Sequence, residues 1–184
     1  MQQPRTTIGV FAFGDVPAIF LKVIAAHIEA YLQGDARILP SHPHPYYAFD
    51  PHRLQYDCGL ILKAMEAEKF DGCEKVVGVL TVDLFVPILT HVYGEARQGG
   101  KTALVSTFRM QNNPPAASEP SAQAYERTAK VALHEIGHLF NLLHCEDEKC
   151  LMHFSGNLET LDHTPLYFCR YCTAYFRDAL KQRR

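Results

Sequence analysis

The sequence predicts an α/β (α+β) fold, with a mixed, mostly parallel twisted sheet, an antiparallel edge strand, a long helix and a small C-terminal lobe. Strand-like and helix-like segments alternate over residues 8–85, which is the order of a largely parallel sheet. Two further strand-like segments flank a Gly-Gly turn, and this arrangement is typical of a hairpin with one strand at a sheet edge. A chain of 184 residues is long enough for one compact domain with a sizeable core.

The first half of the chain alternates between strands and helices. Residues 8–13 form a short apolar run that is typical of a strand. Apolar side chains recur at helical spacing over residues 16–33, with Asp15 as the expected N-cap and Gly34 as the expected end. The remaining elements of this half are a strand at 36–39, a proline-rich loop at 41–45, a helix at 58–69 and a buried strand at 75–85.

The second half begins with the hairpin, which spans residues 91–108. A long helix follows and ends near position 140, and either Ser118 or Ser121 is expected to cap its N-terminus. The remaining elements are a loop at 156–165 and a last helix at 166–180, which carries a Cys-x-x-Cys pair in its first turns.

Three histidines near the end of the long helix have the spacing of metal ligands. His134 and His138 are four residues apart, so both imidazoles project from one helix face and can bind one ion. Glu135 lies at the margin of that face, where its carboxylate can act as a general base on a metal-bound water. The helix must end before His144 can return to the same ion, and Asn141 is the expected break because Asn tolerates the left-handed backbone conformation. Three imidazoles and one open position are typical of a catalytic zinc site.

Four cysteines follow at a spacing that suits a second, closed zinc site. Cys145 and Cys150 form the first close pair, and Cys169 and Cys172 form the second. Four thiolates complete a tetrahedral zinc site, so this ion is expected to be structural and the chain to bind two Zn²⁺. A redox dithiol is the alternative for the second pair, and the presence of the first pair argues against it. His144 and Cys145 are adjacent, so the closed site should fix where His144 points.

This extended pattern resembles the archaemetzincins, a branch of the metzincin metallopeptidases. Their signature is HExxHxxGxxH followed by CxxxxCxM and a distal CxxC, and the chain supplies every ligand position of it. The resemblance implies that Met152 forms the Met-turn, with its thioether beneath the histidines. Asn141 stands where the family has Gly, and the gap before Cys169 is slightly shorter than usual, but neither difference removes a ligand. Residues 78–85 and 91–94 also resemble the family.

The resemblance implies a zinc metallopeptidase that acts on a peptide or protein substrate, and the lack of a secretion signal or membrane helix in the sequence predicts that it is cytoplasmic. Glu135 would take a proton from the zinc-bound water and deliver it to the leaving amine. An edge strand can bind an extended substrate as an additional strand, and in metzincins such an edge runs above the catalytic helix. Residues 93–96, with Tyr93 and Gly94, are our candidate for this edge, and residues 105–108 are the alternative.

Two other functions are consistent with parts of the pattern. A catalytically silent, zinc-stabilised peptide- or protein-binding module would keep the ligands, but it would have no use for Glu135. A nucleic-acid-binding zinc ribbon would need a basic surface with interleaved aromatic residues, and the net charge of −2 argues against it.

The remaining expectations concern organisation and location. We expect one compact catalytic unit with two subdomains, of which residues 1–144 carry the sheet and the active-site helix. Residues 145–184 would carry the Met-turn, the four-cysteine site and the last helix. The first strand begins by position 8, which leaves no room for a secretion signal, and no segment is typical of a membrane helix. We expect a monomer without a nucleic-acid or membrane partner.

Overall fold

A computed structural model of the chain describes residues 6–32, 34–111 and 120–181. Strands and helices alternate from the N-terminus, as the sequence predicts. The strands are β1 (Thr7–Ala12), β2 (Asp35–Ile38), β3 (Phe49–Asp50), β4 (Gln55–Asp57), β5 (Lys75–Leu80), β6 (Leu84–Phe85), β7 (Gly94–Ala96) and β8 (Thr102–Ser106). The α-helices are α1 (Ala18–Tyr31), α2 (Cys58–Glu66), α3 (Ala122–Leu139), α4 (Leu158–His163) and α5 (Arg170–Lys181), and a 3₁₀ turn spans Tyr46–Ala48.

The main sheet has five strands in the order β2-β1-β5-β8-β7. The first four are parallel, and β7 runs antiparallel to β8 at one edge. This confirms the predicted fold class, a mixed and mostly parallel sheet with an antiparallel edge strand. Because β8 has a neighbour on each side, the edge lies at residues 94–96, and the alternative at residues 105–108 is wrong.

Helices cover both faces of this sheet. On one face α1 and α3 pack together over apolar side chains of β1, β5 and β8, and Ile24 and Ile28 of α1 are fully buried. On the other face α2 buries Ile61 and Leu62 against Phe11 and neighbouring residues. Each such side chain contributes about 1.5–3 kcal/mol through burial, so the two layers stabilise the sheet beneath the site.

Both ends of α1 differ from those that the sequence predicts. Asp15 is not its N-cap, because Pro17 occupies that position with an extended ψ of 125° and no side chain caps the helix. The carbonyl of Pro17 accepts from the N–H of Phe20 at 3.0 Å, so the helix begins directly after the proline. The last helical residue is Tyr31, so the helix ends before the predicted stop at Gly34; position 33, the last residue of the predicted helix, lies outside the described residues.

The strand expected over residues 75–85 is two strands in different sheets. β5 ends at Leu80, and β6 pairs with β4 in a small sheet of order β3-β4-β6. Asp83 holds the intervening bend, because its carboxylate accepts from Arg109 Nε at 2.7 Å and from Gln55 Nε2 at 2.9 Å. The sequence does not reveal this small sheet, since strands of two or three residues are too short to show alternation.

The long helix α3 is capped as expected. Ser121 Oγ accepts a hydrogen bond from the backbone N–H of Ala124 at 3.1 Å, so Ser121 is the N-cap. The alternative cap, Ser118, lies outside the described residues. None of the described helices is both long and apolar enough to span a membrane.

The segment between Met152 and α5 contains a helix where the sequence predicts a loop. α4 begins after Asn157, whose Oδ1 accepts from the backbone N–H of Thr160 at 2.8 Å. Asp162 at its end accepts from Nε and Nη2 of Arg127, each at 2.6 Å, and this pair holds α4 against α3. The last helix begins at Arg170 instead of position 166. A helix of six residues has too few turns to show a helical period, which is why the sequence does not predict α4.

Candidate active site

A cleft of about 370 Å³ runs between the edge strand and α3. Residues 89–98, which include β7, form one wall, and residues 130–138 of α3 form the floor. Residues 143–164, the segment around Met152 and α4, supply the opposite wall. The cleft thus brings the candidate edge strand next to the histidines and Glu135, although these lie far from it in sequence.

The three predicted histidine ligands meet at one point of this cleft. One ring nitrogen from each of His134, His138 and His144 lies within 4.8 Å of the other two. The Nε2 atoms of His134 and His138 are 3.1 Å apart. The ring of His144 lies 5.2 Å from that of His134 and 4.9 Å from that of His138, between centroids. The chain therefore does turn back after α3, as the sequence requires.

Backbone carbonyls fix the orientation of two of these rings. His134 Nδ1 lies 2.7 Å from the oxygen of Leu151, and His138 Nδ1 lies 2.8 Å from the oxygen of Leu142. A carbonyl oxygen only accepts, so both Nδ1 atoms carry the proton and both Nε2 atoms present a lone pair. Two lone pairs that face each other at 3.1 Å repel unless a cation lies between them. This arrangement fits a metal ion and suits the nitrogen donors that zinc prefers.

Burial keeps the histidines in the form that binds metal. Burial, with His138 as a second cause, lowers the pKa of His134 to about 3. Burial also lowers the pKa of His138 and of His144 below the ordinary histidine value. At neutral pH all three imidazoles are therefore neutral, and no proton has to be displaced before a metal can bind.

Asn141 ends α3 in the way that the sequence predicts. Its φ is +67°, in the left-handed region that favours glycine. The N–H of Asn141 donates to the oxygen of His138 at 2.9 Å, and the N–H of Leu142 donates to the oxygen of Gly137 at 3.1 Å. These two bonds make a Schellman motif, which reverses the chain and returns His144 to the site.

Met152 packs against α3 beside the histidines. The methionine is fully buried, and its Sδ lies so close to Gly137 that a Cβ atom at position 137 would overlap with it. Gly137 directly precedes His138, so the thioether supports the helix at the metal ligands. The resemblance implies this position for Met152, whereas the need for glycine at 137 is visible only in the structure.

Glu135 is buried at the inner end of the cleft, with 7% of its surface exposed. Burial, with Glu95 as a second cause, raises its pKa well above the ordinary value. Gly94 of the edge strand lies directly over it, since a Cβ at position 94 would be 2.8 Å from Glu135 Cγ and 2.8 Å from Val131 Cγ1. Tyr93 lines the cleft beside this contact. The edge strand can approach α3 this closely only because residue 94 has no side chain.

The four predicted cysteines also come together. One Sγ atom from each of Cys145, Cys150, Cys169 and Cys172 lies within 4.8 Å of the other three, and all four are free thiols. Cys150 Sγ accepts from the backbone N–H of Met152 at 3.4 Å and from that of Cys169 at 3.3 Å. Burial raises the pKa of Cys150 to about 11, so its thiolate needs a cation beside it. Four sulfurs at these distances fit a tetrahedral zinc.

The sequence does not predict two residues of the site. Gln98 and His153 each donate a side-chain hydrogen bond to a carbonyl in the ligand segment, Gln98 to Leu142 at 3.0 Å and His153 to Cys145 at 3.0 Å. Neither belongs to a spacing pattern, because both act through contacts with residues that are distant along the chain or on the far side of a turn. No signal in a single sequence identifies them.

The chain resembles known proteins over most of its length. Residues 44–178 match the model of peptidase family M54. An archaemetzincin from Methanocaldococcus jannaschii is 34% identical over 165 residues, which cover 90% of this chain and 89% of that protein.

Solved structures agree with this result. The crystal structure of an archaemetzincin from Methanopyrus kandleri superposes with a TM-score of 0.84 at 31% identity and covers 96% of each chain. A zinc-dependent peptidase from Methanocorpusculum labreanum superposes with a TM-score of 0.81 at 28% identity, over 92% of this chain and 99% of that one. The chain therefore belongs to peptidase family M54, with the archaemetzincins, and is a zinc-dependent metallopeptidase.

Proposed function

We propose that the chain hydrolyses peptide bonds at a zinc ion held by His134, His138 and His144, with Glu135 as the general base. The observation that carries this proposal is the pair of Nε2 lone pairs that converge beside a buried carboxylate in an open cleft. Three imidazoles leave one position of a tetrahedral ion free. When bound there, zinc would polarise the scissile carbonyl and lower the pKa of its water to about 7.

The chain's own residues supply the remaining chemistry. Glu135 follows His134 directly and lies at the floor of the cleft, so its carboxylate can accept a proton from the attacking water. The same carboxyl group can then donate that proton to the amine that leaves. Gly94 and Val131 shield Glu135 from bulk water, which strengthens its hydrogen bonds to the reacting groups.

The edge strand is the proposed binding site for the substrate backbone. β7 is hydrogen-bonded to β8 on one side and is the last strand of the main sheet on the other. The carbonyl of Tyr93 already accepts from the N–H of Ser106 at 2.8 Å, so the backbone that faces outward is that of Gly94. An extended peptide that pairs with Gly94 would lie along the cleft beside the Tyr93 side chain, above His134 and Glu135. Backbone pairing of this kind is independent of sequence, so side-chain selectivity would come from the opposite wall.

The four cysteines are proposed to hold a second, structural zinc. Their closed geometry leaves no position for water, and their sulfurs connect the segment after α3 to the start of α5. On this proposal residues 145–184 form a small lobe that the ion holds to the catalytic part. The chain would then contain two zinc ions, of which only the one at the histidines takes part in chemistry.

A peptide-library digest tests the proposal against its alternative. The library is incubated with three samples: zinc-loaded protein, protein stripped with a chelator, and stripped protein reloaded with zinc. Mass spectrometry identifies the products. We expect cleavage that disappears on stripping and returns on reloading. A zinc-stabilised binding module would instead retain library peptides without cutting them, and this result would overturn the proposal.

A further inference from the structure

The tip of the β7–β8 hairpin contacts the chain reversal that follows α3. The backbone N–H of Gly99 donates to the oxygen of His138 at 2.8 Å. Gln98 Nε2 lies 3.0 Å from the oxygen of Leu142 and 3.3 Å from Oδ1 of Asn141. Three hydrogen bonds therefore join the tip of the hairpin to residues 138–142. The same hairpin carries the edge strand at its other end.

The carbonyl of Leu142 is the central group of this contact. It accepts from His138 Nδ1 at 2.8 Å and from Gln98 Nε2 at 3.0 Å. A carbonyl oxygen has two lone pairs, and here each is used by one side chain. The group that orients the metal-binding ring is thus itself held from the opposite side. Without the hydrogen bond from Gln98 the Leu142 carbonyl can tilt. The His138 ring, which is hydrogen-bonded to that carbonyl, would tilt with it.

Asn141 adds an acceptor that glycine would not provide. Its left-handed backbone is the conformation in which glycine is least strained, so an asparagine there carries a small steric cost. The side-chain oxygen then accepts from Gln98, and a Cβ atom at Gly99 would lie 3.2 Å from it. This tight approach and a φ of +64° both favour glycine at position 99.

We propose that Gln98 is a positioning residue for the histidine metal site, which it stabilises by holding the Leu142 carbonyl that orients His138. This inference rests on the proposed catalytic zinc. It also gives the hairpin a second role. Its edge strand would bind the substrate, and its tip would support a metal ligand. Gln98 lines the cleft, and its side chain bonds to Leu142 and Asn141, so it acts on the metal site through the Leu142 carbonyl.

The test uses three variants of the full-length protein. Gln98→Met keeps the length of the side chain and removes its N–H donors. Asn141→Gly keeps the chain reversal and removes the side chain that supplies the Oδ1 acceptor. Lys101→Met changes an exposed residue of the same hairpin and serves as the matched control.

Zinc affinity is measured by competition with a chromophoric chelator, which reports each metal as it is removed. We expect the dissociation constant of the histidine-site zinc to rise about threefold to tenfold in Gln98→Met, because methionine can donate neither of the two hydrogen bonds that Gln98 makes to Leu142 and Asn141. In Asn141→Gly the rise should be smaller, and in Lys101→Met the constant should stay within about twofold of the wild type. The affinity of the four-cysteine zinc should not change in any variant, and the melting temperature should fall in Gln98→Met by no more than the weaker histidine-site zinc accounts for.

A spectroscopic measurement distinguishes a change in the ligand geometry at the histidine site from a general loss of stability. Cobalt is exchanged into the histidine site while zinc remains at the cysteines, and the visible bands then report the ligand geometry around cobalt. We expect the bands to shift in Gln98→Met and not in Lys101→Met. Unchanged zinc affinity and unchanged bands in Gln98→Met would overturn the inference, and so would a lower melting temperature with unaltered histidine-site affinity. A wild-type protein that binds no metal at the histidines would instead overturn the proposed function.

Discussion

The backbone N–H of Cys145 donates to the carbonyl oxygen of Met152 at 2.9 Å. The residue that follows His144 is therefore paired with the methionine that packs on Gly137. His153 strengthens this junction, because its Nδ1 donates to the carbonyl of Cys145 at 3.0 Å. The histidine cluster and the cysteine cluster share one backbone segment. Loss of the zinc at the cysteines should therefore lower the zinc affinity of the histidines.

Cys169→Ser should weaken both metal sites through this junction. Loss of one thiolate should release the structural zinc and lower the melting temperature by about 10 °C, which corresponds to a loss of about 3–5 kcal/mol. The zinc affinity of the histidine site should also fall, because His144 loses its support. Calorimetry and zinc analysis measure the two effects.

Cys73→Ser is the control for that substitution, since Cys73 is a half-buried free thiol outside the cysteine cluster. It should keep both metals and melt close to the wild type. If Cys169→Ser melted like the wild type, the four-cysteine site would not be structural. If it lost only its own zinc and left the histidine site unaltered, the two sites would not be coupled.

Gly94→Ala should lower both stability and activity. The new Cβ would lie 2.8 Å from Glu135 Cγ, Val131 Cγ1 and the oxygen of Leu104, so the edge strand must move away from α3. Overpacking of this kind costs about 1–3 kcal/mol in the free energy of unfolding. Urea denaturation measures the cost, and peptide turnover measures the effect on the cleft.

Gly156→Ala is the matched control in the same cleft, where the new Cβ would lie 3.3 Å from Cε1 of the exposed Phe154. That ring can move, so stability should change by less than about 0.5 kcal/mol. Equal effects of the two substitutions would contradict the close packing of Gly94 on Glu135.

Asp162→Asn should destabilise the wall of the cleft in a pH-dependent manner. Hydrogen bonds from Arg127 are the main cause that holds the pKa of Asp162 below its ordinary value. A lowered pKa in the folded state stabilises the protein above the unfolded value of about 4, and this contribution is lost as the pH falls through the folded value. The substitution should therefore cost about 1–2 kcal/mol at neutral pH and progressively less towards acid.

Urea denaturation of both proteins from neutral to acidic pH measures this difference. Glu159→Gln, on the exposed side of the same helix, should change stability by less than about 0.5 kcal/mol at every pH. A cost for Asp162→Asn that stays constant down to the acidic end would contradict the role of the Arg127 pair.

The sequence predicts the parts of the site that depend on local spacing. Helical periodicity places His134, Glu135 and His138 on α3, and the turn preference of Asn places the chain reversal at position 141. The parallel sheet and its antiparallel edge also follow from the order of the elements and from the Gly-Gly turn.

What the sequence does not predict depends on contacts between distant segments. The need for glycine at 94 and at 137 arises only when β7 and Met152 pack on α3. The bond from Gln98 to Leu142 joins residues that are 44 positions apart. Periodicity and capping preferences describe neighbours along the chain, so they carry no information on these contacts.

Replacement of Glu135 by Gln is the most direct test of the proposed mechanism. Glutamine fills the same buried space but cannot accept the proton of the attacking water. We predict that the wild-type protein and the variant each contain two zinc ions by elemental analysis and melt alike, while peptide turnover falls about a thousandfold in the variant. Unchanged turnover in Glu135→Gln, or a single zinc in the wild-type protein, would contradict the account.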